Sequence, residues 1–503
     1  MRELELKFSV HEPFTLPDLV GGKSPVSATS RPTRATLRAT YYDTDDLRLA
    51  RWGITLRRRT GGDDAGWHLK LPVAGAAAAA RDEISAPANG RGVPAALTDL
   101  VTAYVRGQTL KPVATLRTNR ESIILFDDDG EVAAELVDDT VSVLDGARVI
   151  ERFREIEIES KGAKLGFLKK VGTVLEGSGA VSGTFMPKAV RALGSRAAGP
   201  PEVDLAADVS ARSTAGEVVT SFLRLHVRAL LAHDSLARQG TDDAVHQMRV
   251  AARQLRSGLK TFGSLLDPAW ATATREELRW LATSLGGARD AEVMTARLSP
   301  QLAALPDDAV RLVASDAVER MLTAAQRRGD AALRTALSEA RFTTLLDTLI
   351  DATSAPPLSE AAAGRAKDVL PPLAARAWRR LEKSVEKIGD DAPDEQLHRA
   401  RIVAKQARYA SEACALAFGS PAKRLAQQIV RVQDVLGEHQ DAIVACAALH
   451  RLARSRAGRE SSDLSFALGM LYCRQVQAAD EARAALGGVW REVRRREFRS
   501  WIE

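Results

Sequence analysis

The opening stretch of the chain, MRELELKFSV, alternates charged and apolar residues. On an extended strand successive side chains take opposite faces. Glu3, Glu5 and Lys7 therefore share one face, and Leu4, Leu6 and Phe8 the other. The same habit recurs further on. "TLRRR" puts Thr55, Arg57 and Arg59 on one face, and "WHLKL" sets His68 and Lys70 opposite Trp67, Leu69 and Leu71. "REIEIES" stacks Glu155, Glu157 and Glu159 opposite Ile156 and Ile158. One such row ordinarily faces water. Several rows of like charge repel unless counter-ions lie among them. Carboxylates suit hard cations such as Mg²⁺ or Mn²⁺, whereas arginine and lysine suit phosphate oxygens. A metal–polyphosphate complex uses both sets, and a barrel with a polar lumen would gather them around one axis.

A second chemistry-bearing pattern is helical. "AVHQMRVAARQLRSGLK" near 245 matches "QLHRARIVAKQARYASE" near 397. His246, Arg249, Arg253 and Arg256 have the spacing of His398, Arg401, Lys405 and Arg408. At ~100° per residue the four positions of each copy fall within an arc of about 80°. Val245, Met248, Leu255 and Leu259 lie beside the first arc, on the face a bundle core would take. No acidic residue occurs between Ala244 and Leu266 or from Gln396 to Ser411. Downstream, "LGGARDAEVM" parallels "LGEHQDAIVA", with 44 residues from His246 to Asp290 and 43 from His398 to Asp441. An internal duplication accounts for both matches. A basic face is usually just solvated, but retention of the histidine and three basic positions in both copies points to an anion site.

These side chains need two kinds of scaffold. Up to about residue 190 the pattern has period two, with strands expected near Arg2–Val10, Thr36–Tyr42, Ile54–Arg59, Gly66–Leu71, Arg81–Ser85, Asn119–Phe126, Glu131–Val137 and Arg152–Glu159. Helices are expected at about Pro94–Arg106, Ala163–Leu175 and Pro187–Leu193. Eight strands with turns between them suggest a closed antiparallel barrel or a sandwich. From about 210 the chain becomes rich in Ala, Leu and Arg at helical spacing, enough for roughly ten helices. The Gly-Pro-Pro of "SRAAGPPEVDLAADVSAR" marks a linker. The expected division is 1–195, a linker at 196–212, and 213–503 in two related halves, 213–355 and 358–503.

The totals fit this plan. A chain of 503 residues, 45% hydrophobic and 27% charged, is globular and holds two or three domains. Its net charge of +6 hints at an anionic partner. Three scattered cysteines and the absence of C-x-x-C argue against a disulfide framework or a zinc ribbon. The charged start argues against a signal peptide, and no apolar run reaches the ~18 residues of a membrane span. A cytoplasmic address is expected, with polyphosphate granules as a candidate place of association. The C-terminal "WREVRRREFRSW" is basic on all sides and is expected to be a solvated helix.

The first ~195 residues resemble the CYTH domain of the triphosphate tunnel metalloenzymes. The E-x-E-x-K strand is Glu3, Glu5 and Lys7. In order follow "YYDTDD" (Tyr41 to Asp46), "LRRR" (Leu56 to Arg59), "LKL" (Leu69 to Leu71), "RDE" (Arg81 to Glu83), "RTNRES" (Arg117 to Ser122), "AELVDD" (Ala134 to Asp139) and the "EIEIE" strand. The resemblance implies an eight-stranded antiparallel tunnel binding triphosphates with Mg²⁺ or Mn²⁺. It implies a catalytic set of Glu3, Glu5 and Lys7, and metal ligands among Glu3, Glu5, Glu157 and Glu159, with Glu135 and Asp139 as additions. Arg57, Arg59, Lys70 and Arg120 would bind phosphate alongside Lys7. Lys188, in "FMPKAV", would join them, although the aromatic residue expected after it is missing.

Residues ~210–503 resemble the CHAD domain, a duplicated helical module that often follows a CYTH domain. That resemblance implies polyphosphate binding by His246, Arg249, Arg253, Arg256, His398, Arg401, Lys405 and Arg408, with Arg289 and His439 as further candidates. Asp290 and Asp441 either orient the basic chains or form helix-end salt bridges.

The fold class expected overall is α+β, a barrel followed by an all-α bundle. The leading functional reading is a metal-dependent inorganic triphosphatase with a polyphosphate-binding domain. The alternatives are a non-catalytic polyphosphate binder, or the same barrel acting on thiamine triphosphate or cyclising a nucleotide. No G-x-x-x-x-G-K-[ST] loop supports a P-loop enzyme. Neither a membrane nor a nucleic-acid partner is expected, and the pattern is silent on oligomeric state.

Overall fold

The computed structural model describes residues 4–503 apart from 12, 23, 63, 73–80, 91, 184–187, 242 and 390, with backbone only at 81 and 288. Glu3 therefore lies outside the described residues. The chain divides into two compact units, 1–202 and 203–503.

The first unit holds ten strands: β1 (Glu5–Val10), β2 (Ala28–Thr29), β3 (Thr33–Asp43), β4 (Thr55–Thr60), β5 (Gly66–Pro72), β6 (Arg81–Ala86), β7 (Lys111–Phe126), β8 (Val132–Asp145), β9 (Arg148–Ser160) and β10 (Val181–Ser182). Its helices are α1 (Arg48–Arg51), α2 (Ala95–Leu100), α3 (Thr102–Val105), α4 (Leu165–Gly177) and α5 (Lys188–Leu193). Eight strands are long, as the alternation requires, and β2 and β10 add two residues each. All pairings are antiparallel, in the order β10-β1-β9-β8-β7-β3-β4-β5-β6, with β2 on β7. The expected antiparallel strands followed by an all-α unit are present, with ten strands where eight were expected. Among the described residues the end strands of the sheet, β6 and β10, do not pair with each other. The sheet still curls, because residues of β1 and β6 line one cavity.

Period two decides what each face meets. Phe8, Leu136, Ile156 and Ile158 pack on Leu168, Val171 and Leu175 of α4. This leaves the charged rows on the concave side. The "YYDTDD" motif has a structural part: buried Asp43 accepts the backbone N–H groups of Thr44, Leu49 and Ala50 (2.7, 2.9 and 2.9 Å), tying down α1.

The second unit is helical: α6 (Ala215–Arg238), α7 (Ala244–Thr261), α8 (Pro268–Ser284), α9 (Gly286–Ala303), α10 (Asp308–Ser338), α11 (Ala340–Ser354), α12 (Ala366–Val385), α13 (Asp394–Phe418), α14 (Ser420–Ala453), α15 (Arg456–Glu460) and α16 (Ser462–Val493). Reciprocal contacts relate its halves. Ala215 N–H donates to Gly364 O and Ala366 N–H to Ser213 O, both at 2.8 Å. Across the α7–α13 crossing, Gln254 donates to Glu412, and Lys260 Nζ donates to Gln406 Oε1 at 2.7 Å. Gln254 and Gln406 occupy matching places in the repeat, as do Lys260 and Glu412. Such pairs are the mark of a local two-fold axis. The halves differ downstream, where α8 and α9 are separate but α14 is one helix of 34 residues.

The C-terminal tail is not the solvated helix expected from its charge. After Val493 it forms two short turns. Trp490 stacks on Trp378 (5.5 Å), and Trp501 lies 5.2 Å from Phe418. Its aromatic residues outweigh its arginines.

Gly258 lets α7 approach α6. A Cβ there would lie 2.2 Å from the buried ring of Phe222. Gly258→Ala is expected to destabilise the helical unit by about 1–3 kcal/mol, with partial recovery in Gly258→Ala/Phe222→Leu. Denaturant unfolding followed by circular dichroism measures both.

Candidate active site

Register converts the charged rows into walls. Glu5 on β1 lies opposite Glu159 on β9, which lies opposite Glu135 on β8. Lys7 lies opposite Glu157, and Ser9 opposite Glu155. Glu155 in turn faces Asp139, and Asp139 faces Arg120 on β7. On the far strands Tyr41 faces Arg57 and Arg57 faces His68, while Thr55 faces Lys70 and Lys70 faces Glu83. Most of these side chains line one cavity of about 1090 Å³.

Like charges directly opposite on adjacent strands are destabilising, so the acidic wall demands cations. Carboxylate oxygens of Glu5, Glu157 and Glu159 lie within 4.8 Å of one another, and so do those of Asp139, Glu155 and Glu157. Two lysines answer part of this charge. Lys7 Nζ is 2.7 Å from Glu157 and 3.3 Å from Glu5. Lys188, at the start of α5, reaches Asp139 (2.5 Å), Glu155 (2.8 Å) and Glu157 (3.4 Å). Burial opposes its ammonium, yet Glu157, Asp139 and Glu155 more than offset that and raise its pKa. Glu157 is held well below the usual carboxylate range, Lys188 and Lys7 overcoming its burial. Glu159 is raised, by burial and then by Glu157, although Lys161 lies 3.4 Å away. Glu135 is paired with the same lysine (2.9 Å).

The opposite wall is cationic. Arg57, Arg59 and Lys70 stand there among Tyr41, His68, Asp64 and Glu83. Lys70 Nζ is 2.9 Å from Glu83, Arg57 is 3.7 Å from it, and Arg59 pairs with Asp64. Burial, Arg57 and Arg120 lower the pKa of Arg59, a sign of crowded positive charge. Arg120 joins the walls through a two-pronged bond to Asp139 (2.8 and 2.7 Å). Lys7 and Lys188, expected with the phosphate-binding set, sit among the acids instead. Glu155, Glu83 and Tyr41 had no site role in the sequence reading, although the "EIEIES", "RDE" and "YYDTDD" stretches contain them.

In the helical unit, α7 and α13 bring most of the basic positions together. Lys405 is pushed down to about 7 by burial and by Arg401, Arg253 and Arg249, with Asp441 opposing. Arg253 is lowered by burial, while Tyr409 opposes and Arg249, Arg401 and Arg408 add to the lowering. Buried Nε atoms of Arg249, Arg253 and Arg401, and Nδ1 of His246, have no hydrogen-bond partner. Arg249 is 2.9 Å from Asp290, and Arg401 is 3.7 Å from Asp441. Each guanidinium also lies against a glycine of the repeat, Gly286 or Gly437. His398 bonds Gln440 (2.6 Å). Arg289 lies near enough to His246 to depress its pKa after burial does, whereas His439 is buried against Asp394 (3.1 Å).

The CYTH family model matches residues 1–178 and the CHAD family model residues 221–450. The chain is a CYTH–CHAD protein. An uncharacterized protein of Mycobacterium tuberculosis is 34% identical to it over 524 residues, covering 98% of this chain and 96% of its own. Of solved structures, PptA from Streptomyces chartreusis is 27% identical, covering 56% of this chain and all (100%) of its own, with a TM-score of 0.49. The CHAD domain from the plant Ricinus communis is 26% identical, covering 57% of this chain and 94% of its own, with a TM-score of 0.45. CYTH domains are triphosphate-binding, metal-dependent tunnel enzymes. The donor set of this CYTH–CHAD protein fits such a metal: three converging carboxylates, of which Glu159 retains a raised pKa despite its lysine neighbour. Among the described residues no helix is long and apolar enough to cross a membrane.

Lys188→Met should strand buried Glu155, Asp139 keeping Arg120, and destabilise the first unit by about 3–5 kcal/mol, with Glu155→Gln restoring part. Asp139 gives the sign with pH: its pKa is lowered from 3.8, with Lys188 and Arg120 overcoming burial. Its contribution is complete above that value and lost as pH falls below it. Acid unfolding of both proteins tests this.

Proposed function

We propose that the CYTH unit hydrolyses inorganic triphosphate and that the CHAD unit holds polyphosphate. The observation that carries the reading is the pair of opposed walls, acidic on β1, β8 and β9 and basic on β4 and β5, around one cavity. Glu5, Glu157 and Glu159 would hold Mg²⁺ or Mn²⁺, with Glu3 a further candidate. The bound ion supplies Lewis-acid neutralisation of phosphate charge. Arg57, Arg59 and Lys70 bind the phosphate chain from the other wall, and Arg120 joins them while anchored on Asp139. Their fixed charges offset the charge on the transferring phosphoryl group with water as the attacking group. Lys188 and Lys7 keep the acidic strands together between turnovers.

In the CHAD unit, guanidinium Nε atoms without a hydrogen-bond partner and a lysine driven toward neutrality support the polyanion reading. A second reading, binding without turnover in the first unit, is favoured by Lys188, which already meets three carboxylates.

Full-length protein incubated with tripolyphosphate and Mg²⁺ or Mn²⁺ should release orthophosphate. Glu5→Gln should lower the rate at least about 100-fold, the equivalent of a few kcal/mol of metal stabilisation. Binding without release under either ion would establish the second reading.

Polyphosphate affinity should depend on pH through Lys405. An adjacent anion raises an ammonium pKa, so binding takes up a proton above pH about 7, the value in the free protein. Affinity should therefore be highest below pH 7 and fall as pH rises. Lys405→Arg should flatten the profile, measured by calorimetry in two buffers of different ionisation enthalpy.

A further inference from the structure

The local two-fold axis of the helical unit allows its two sides to be compared residue by residue, and they are not equivalent. Matching α7 to α13 through Gln254 and Gln406 puts Glu412 where Lys260 stands. Matching α6 to α12 through the reciprocal bonds of Ala215 and Ala366 puts Leu225 and Ala229 where Arg376 and Arg380 stand.

On the Lys260 side, α7, α12 and α13 enclose a depression of about 90 Å³, lined among others by Ser257, Lys260, Arg376, Arg380 and Gln406. None of its described lining residues is acidic. Ser257 lies on its wall, 9% exposed, with an Oγ that has no hydrogen-bond partner. Burial lowers the Lys260 pKa, and Arg275, Arg380 and Arg256 lower it further, so the depression continues the positive field of the α7 stripe. Lys260 follows Arg256 by one helical turn. From His246 to Lys260 the stripe runs ~21 Å at 1.5 Å per residue.

The other side is closed. Glu412 sits 2.9 Å from Arg408 and accepts from Gln254, so it occupies one basic side chain of the track and places a negative charge at its end. Leu225, which takes the place of Arg376 on this side, is exposed and apolar.

We propose that a polyphosphate chain leaves the shared track of α7 and α13 on one side only, where Lys260, Arg376 and Arg380 above Ser257 form an additional phosphate subsite. This rests on the polyphosphate reading of the helical unit. A chain long enough to run past Arg256 gains these contacts, and tripolyphosphate held at the centre of the track does not. The subsite thus makes binding favour long chains, and Glu412 forbids the symmetric exit.

The test gives the Lys260 side of the full-length protein the residues of its two-fold-related side, Lys260→Glu with Arg376→Leu and Arg380→Ala, and compares long-chain polyphosphate with tripolyphosphate. Long-chain affinity should fall about tenfold or more, with a shallower dependence on salt as phosphate contacts are lost, while the loss for tripolyphosphate is smaller. Glu412→Lys should do the reverse, raising long-chain affinity and steepening the salt dependence. Equal losses for both lengths, or no change in either variant while the wild type binds long chains, would overturn the one-sided exit alone. A wild type that binds neither length overturns the polyphosphate reading and this inference together. Lys260, Arg376 and Arg380 are exposed and Glu412 is half-buried, and unchanged unfolding midpoints in both variants separate loss of binding from loss of fold.

Discussion

Crowding of like charge shapes both units. On β1, β9 and β8 three glutamates stand side by side where neutral residues would pair more comfortably. Between α7 and α13, arginines from both helices press on one lysine. Neither arrangement is what stability alone favours. Each becomes reasonable when an ion of opposite sign is admitted, a hard cation in one case and a polyanion in the other. The hydrophobic packing of β1 and β9 on α4, and of α6 on α7, holds the repelling groups in place.

The first unit tempers its repulsion internally. Lys188 and Lys7 bring ammonium groups into the acidic wall, and Asp139 and Asp64 bring carboxylates to Arg120 and Arg59. The cavity is thus a mixed lattice whose charges are partly satisfied across the sheet. Buried pairs of this kind add little net stability, but breaking one leaves a costly lone charge. Such a lattice fixes side-chain positions, as a site for a branched array of phosphate oxygens requires. The helical unit tempers its repulsion less, with Asp290 and Asp441 at the ends of single arginines.

Much of this was legible in the chain because strand and helix have fixed periods. Alternation identified which residues of "EIEIES" share a face, and the arc of four positions identified the stripe on α7. Register was not legible. That Glu5 abuts Glu159, or that Glu155 abuts Asp139, follows from pairings between strands far apart in sequence. For the same reason Lys188 could be assigned to phosphate by its motif, while its three carboxylate neighbours come from β8 and β9. Closure of the sheet was equally hidden, since alternation says nothing about whether end strands meet. In the tail, arginine density predicts solvation, whereas the stacking of Trp490 on Trp378 and of Trp501 near Phe418 joins residues far apart in sequence and has no local signature.

The midsections of the two helical halves differ in how they seat the matching arginines. In the second half, Arg401 leans on Gly437 within a single rod of 34 residues, ~51 Å long. In the first, Arg249 leans on Gly286 at a joint where one helix stops and the next begins. Arg249 is thus placed over the first turn of a helix, after the one-residue break at Leu285, and Arg401 over the middle of one.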